Sequence, residues 1–126
     1  KCNKGRNLLY LHIMPYSETL ANRIREALMH IEDLEEKTMF SGMCFMVNGK
    51  MCICVNADGI MCRVDPDKYD ELMERPGTRP MDMKGKPMKG YLYVDTDHIK
   101  KKSELDYWIK LCLDYNPKAK ASKKKK

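Results

Sequence analysis

The chain has 126 residues, 43% of them hydrophobic and 33% charged, which is the size and mixture of one folded domain in water rather than of a disordered segment. Its longest uncharged apolar run, Gly42 to Asn48, falls far short of the ~20 residues of a membrane-spanning helix. The net charge of +6 sits at the ends: outside residues 1–13 and 118–126, 15 basic residues face 18 acidic ones, a net −3 that suits a phosphate backbone poorly.

No stretch has the apolar centre and small-residue site of a cleavable signal, so a cytoplasmic location with no membrane partner is expected. Six cysteines, Cys2, Cys44, Cys52, Cys54, Cys62 and Cys112, invite a disulfide framework, but thiols in that compartment are expected to stay reduced. No CxxC pair occurs, and no His is spaced with two Cys. No metal, cofactor or catalytic residue is therefore expected.

In chain order, residues 1–13 have no helical period, and Met14-Pro15 resembles an initiation site, so they are expected to be an extension rather than part of the domain. Ser17 is a natural N-cap, and Leu20, Ile24, Ala27, Leu28 and Ile31 recur as one face of an amphipathic helix. From Lys37 the period changes. Asn48-Gly49 suits a type I′ hairpin, and Asp58-Gly59 marks a second reversal, which predicts a three-stranded meander up to Val64.

If the Asn48-Gly49 pairing runs on unbroken, Phe45 opposes Cys52 and Cys44 opposes Ile53. Parity then places Cys44, Met46, Met51, Ile53, Val55, Ile60, Cys62 and Val64 on one apolar face, which should lie under the helices. Met43, Phe45, Val47, Lys50, Cys52, Cys54, Asn56, Met61, Arg63 and Asp65 fall on a mixed face, expected to be partly open or to meet a partner.

Asp65-Pro66 starts a short helix with Tyr69, Leu72 and Met73 on its buried side, ended by Arg75-Pro76-Gly77. Strands are predicted at Arg79 to Met83 and Gly90 to Asp95, joined by an exposed lysine-rich loop, Lys84 to Lys89. Ser103-Glu104-Leu105-Asp106 resembles a capping box, opening a helix with the stripe Leu105, Trp108, Ile109 and Cys112. Residues 14–117 thus form the domain, and 118–126 a lysine-rich tail that is expected to be a solvated end.

The order α-β-β-β-α-β-β-α predicts an α+β two-layer sandwich, an antiparallel sheet of about five strands with helices on one face. Several segments resemble the TfoX (Sxy) N-terminal domain family: Pro15 to Arg25, Met39-Phe40-Ser41-Gly42-Met43, Phe45 to Met51, Met61 to Val64, Arg79-Pro80-Met81, and Lys86 to Tyr91 with Val94-Asp95. The likeness runs from about residue 15 to about residue 115. It implies a fold similar to secretion chaperones. Competence regulators of that family carry a second, helical domain that these residues do not include, so a stand-alone form is expected.

The expected function is that of a non-enzymatic regulatory or adaptor domain, binding a partner protein or a second copy of itself through the mixed face or a strand edge. Phe45, Cys52, Cys54, Arg63, Lys86, Lys89 and Tyr91 are its candidate interaction residues. The alternatives are weak, salt-sensitive nucleic-acid binding through the tail and the 84–89 loop, and a small enzyme or ligand-binding domain.

Overall fold

The computed structural model describes residues 17–39, 42–83 and 85–119. Its elements run α1 (Glu18–Ala27), β1 (Leu34–Met39), β2 (Gly42–Val47), β3 (Lys50–Val55), β4 (Gly59–Arg63), a 3-10 turn at Pro66–Lys68, α2 (Tyr69–Leu72), β5 (Thr78–Met83), β6 (Lys86–Asp95) and α3 (Lys102–Tyr115). All pairings in the sheet are antiparallel, in the order β1-β2-β3-β4-β6-β5. The architecture is the expected α+β sandwich, with a sixth strand. That strand is β1, whose Leu-Glu-Glu-Lys-Thr-Met sequence lies exposed at the sheet edge and so lacks the alternation that marks a half-buried strand.

Helix α1 starts where its cap predicts, with the Leu20 N–H donating to Ser17 Oγ at 3.2 Å. It ends at Ala27, with Leu28 as C-cap, short of the Ile31 that the periodicity reaches. The Asp65 side chain likewise accepts from the Asp67 N–H at 2.9 Å, and Tyr69 and Leu72 bury the inner side of α2. The cap of helix α3 lies two residues before the predicted Ser103: Lys101 is the N-cap and Glu104 accepts from its N–H at 3.1 Å. Asp106 pairs instead with Lys102 one turn away, at 2.8 Å.

Between β2 and β3 the register begins as expected, with Asn48 and Gly49 both at positive φ and with Val47 opposite Lys50 and Met46 opposite Met51. It then shifts. A bulge leaves Cys52 without a partner, so Phe45 faces Ile53 and Cys44 faces Cys54. Cys52 and Ile53 both turn toward the helices, and the parity argument fails at that point. Met43, Phe45 and Val47 therefore pack under the helices, while Cys44, Met46 and Met51 lie on the opposite side with Cys54 and Met61.

The sheet consequently has two buried faces. The helix side gathers Leu20, Ile24, Phe45, Ile53, Leu92 and Trp108 among others. The far side holds Cys44, Met46, Met51, Cys54, Met61 and Met81, all between 0% and 6% exposed, with Met39, Tyr91 and Tyr93 packed against them. Cys44 and Cys54 form a disulfide. This corrects the expectation of an entirely reduced chain; the bulge brings the two residues directly opposite, which the unbroken register does not.

The end of α3 is locked to the β2–β3 hairpin. The buried Asn116 amide donates to the Val47 carbonyl at 3.0 Å, its oxygen accepts from the Asn48 amide at 3.0 Å, and Lys50 Nζ donates to the Asn116 carbonyl at 3.0 Å. The predicted 84–89 loop shrinks to a tight turn at Gly85, because Lys86 already pairs with Met83 and opens β6. Lys84 and the 1–13 extension lie outside the described residues, as does all of the tail but its first two residues, Lys118 and Ala119.

Candidate basic and aromatic cleft

The last residue of β4, Arg63, pairs with Tyr91 of β6. Its guanidinium stands 5.5 Å over the Tyr91 ring centroid, and one of its N–H groups donates to the Met51 carbonyl at 3.4 Å. Gly90, at φ +96°, brings the β6 backbone close: its carbonyl accepts from the Val64 N–H at 2.7 Å, and a Cβ there would lie 3.2 Å from Val64 O and 3.3 Å from Pro66 Cγ. A side chain at this position is strained both by conformation and by space. The approach leaves a cleft of about 160 Å³ lined by Arg63, Val64, Pro66, Lys89, Gly90, Tyr91, Tyr115 and Lys118.

Tyr115 and Lys118 reach the cleft from the end of α3, which the Asn116 lock holds in place. Lys89 sits 3.7 Å from Asp70 with both groups largely exposed, a pairing that solvent weakens. The described lining thus combines a guanidinium, two ammonium groups and two phenol rings, with no carboxylate among them. Such a set receives a carboxylate or phosphate, Arg63 through its planar fork and the lysines as point charges, while the tyrosine faces accept a flat or apolar neighbour.

Three of the seven candidate residues, Arg63, Lys89 and Tyr91, are brought together here. Lys86 is exposed at the start of β6, outside the lining. Phe45 and Cys52 are a correction: the bulge turns both under the helices, at 0% and 2% exposure, so neither lies on an open face. Cys54 is likewise corrected, being buried and bonded to Cys44. The sequence reading missed Tyr115, Lys118 and Asn116. The only signal for them is Asn116-Pro117, a polar residue and a breaker at the point where the last apolar stripe ends.

The remaining described thiols are packed rather than poised. Cys112 on α3 shares side-chain hydrogen bonds with the free thiols of both Cys52 and Cys62. The Cys112 bond first, and then burial, push the Cys52 thiol far above its usual range. Burial does the same for Cys112. Cys52 and Cys112 therefore stay neutral, the state in which a buried Cys behaves as a small hydrophobe. His30 is exposed as expected, although it lies in the turn after α1 rather than on the helix. Among the described residues no group of three His, Cys, Asp or Glu side chains is placed to hold a metal ion, and no helix is long and apolar enough to cross a membrane.

Among known proteins, the family model of the TfoX N-terminal domain matches residues 26–115, from within α1 to the end of α3. Neither the curated proteins nor the solved structures gave a match.

Proposed function

The chain belongs to the TfoX N-terminal domain family, and we propose that it is a regulatory adaptor domain, without chemistry of its own, that holds an acidic segment of a partner protein in the Arg63–Tyr91 cleft. The observation that carries this reading is the lining itself. On a body whose segment 14–117 has more acidic than basic residues, the cleft collects three cations and two tyrosines with no carboxylate among its described walls. Arginine and tyrosine are also the residue types that dominate binding energy at protein interfaces. The buried thiols of Cys52 and Cys112, with their raised pKa values, support the non-enzymatic part, since a nucleophilic cysteine needs a lowered pKa and access.

A second reading has the same observation behind it: an Arg–aromatic pair beside lysines also suits a phosphate with a stacked base. One experiment separates them. A photo-crosslinking residue is placed at position 118 of the full chain in cells, with and without Arg63→Gln, and the products are treated with nuclease or protease. The adaptor reading expects a discrete product that survives nuclease and disappears with Arg63→Gln. A product removed by nuclease favours the nucleic-acid reading. A product indifferent to Arg63→Gln contradicts the cleft as the site of either.

A further inference from the structure

Among the described residues, every buried member of the far-side cluster carries sulfur: Cys44, Met46, Met51, Cys54, Met61 and Met81. The helix-side cluster is mixed, mostly aliphatic and aromatic, so the enrichment belongs to one face rather than to the chain as a whole. The register arranges these sulfurs in rows. Cys44 on β2 faces Cys54 on β3, which faces Met61 on β4; one row away, Met46 faces Met51. Side chains directly opposite on antiparallel strands have their Cβ atoms roughly 4.5–5.5 Å apart, so the first row sets two cysteine sulfurs and a flexible thioether side by side.

We infer that, in the reduced protein, the row Cys44–Cys54–Met61 is a binding site for a soft monovalent metal ion, copper(I), held by two thiolates and one thioether. Sulfur donors select this ion over the harder divalent metals. A site beneath the surface also keeps water and oxygen donors away from it. The long, unbranched methionines adjust to the metal with less strain than branched side chains would. Such a site needs neither His nor a carboxylate.

The oxidised form has to be opened first. Two equivalents of a low-molecular-weight thiol reduce the Cys44–Cys54 bond, yielding two protein thiols and one small-molecule disulfide. Copper(I) then binds the two sulfurs and displaces both protons, leaving a bis-thiolate complex of charge −1 that the Met61 sulfur completes. The disulfide and the metal complex are therefore mutually exclusive states of the same two sulfurs.

The test is a titration of the full chain, reduced and oxygen-free, with copper(I) against a chromophoric copper(I) chelator, followed by sulfur-to-copper charge-transfer absorption and copper K-edge spectroscopy. The expected result is one chelator-resistant equivalent with sulfur-only coordination, lost in Cys44→Ser and in Cys54→Ser and absent from the oxidised protein. Met61→Leu, which conserves volume, should weaken binding and lower the sulfur count from three to two. Circular dichroism checks the folding of each variant. Because Cys52, Cys62 and Cys112 form a competing thiol group, Cys112→Ser is the decisive control and should keep the equivalent. Loss of that equivalent in Cys112→Ser, its survival in Cys44→Ser, or the absence of any chelator-resistant copper overturns the assignment.

Discussion

The two faces of the sheet are buried to a similar degree but by different chemistry. Toward the helices, Phe45, Ile53, Ile60, Leu92 and Trp108 meet side chains of defined shape from α1, α2 and α3, the kind of packing that fills space closely and tolerates little change in volume. On the far side only cysteine and methionine are buried among the described residues, and methionine has three rotatable bonds with which to fill irregular space. One face is built for shape, the other for adaptability. The proposed roles follow the same division: the helix side anchors α3, whose end supplies Tyr115 and Lys118 to the cleft, while the far side offers sulfur donor atoms.

The largest effect that would sharpen this contrast comes from the helix side. Leu92→Ala, at a fully buried position, is expected to cost about 2–5 kcal/mol in urea unfolding, because the rigid surroundings leave a cavity. The link between that core and the cleft should break next. Asn116→Ala leaves the Val47 carbonyl and the Asn48 amide without their partner, at a cost of about 1–3 kcal/mol, and should increase hydrogen exchange at residues 115–118. On the far side, Met46→Leu is expected to cost less than about 1.5 kcal/mol, as a volume-conserving change in an adaptable cluster does. A cost equal to that of Leu92→Ala would erase the distinction.

The smallest expected effect is electrostatic. Arg25 donates to both carboxylate oxygens of Glu36, at 2.5 and 2.9 Å, and this bond holds the Glu36 pKa below its ordinary 4.5 despite partial burial. A depressed folded-state pKa stabilises the protein above the unfolded value, and that contribution is lost as pH falls through the folded value. Both side chains are more than one-third exposed, so the contribution is below about 1 kcal/mol. Glu36→Gln should lower stability by less than about 1 kcal/mol at neutral pH and flatten its fall below pH 4.5, where the difference from wild type disappears as Glu36 is protonated, as read from urea midpoints.

Local signals were legible wherever one residue type has one conformational use. Asn48-Gly49 reads as a type I′ turn because both residues accept positive φ, Ser17 and Asp65 read as caps, and Leu105, Trp108, Ile109 and Cys112 read as a buried stripe. The faces of β2 and β3 were not legible, for a physical reason. Every residue of β2 and all but the first of β3 are buried, so hydrophobicity does not alternate and nothing in the composition marks the extra residue at Cys52. One inserted position then exchanges the faces of everything on β2. The cleft was legible on its strand side, through Arg63, Lys89 and Tyr91. It was hidden on its helix side, where Tyr115 and Lys118 arrive from more than twenty residues farther along the chain.

The bulge at Cys52 decides which residues line the core, which cysteines face each other and whether the sulfur row exists. Its most direct test is to oxidise the native full chain mildly, block the free thiols, digest without reduction, and localise each cysteine by fragmentation mass spectrometry. A linkage between Cys44 and Cys54, with Cys52, Cys62 and Cys112 recovered as blocked thiols, is the predicted result. Cys44 recovered as a blocked thiol, or a bond formed through Cys52, would contradict the bulged register and with it the face assigned to β2.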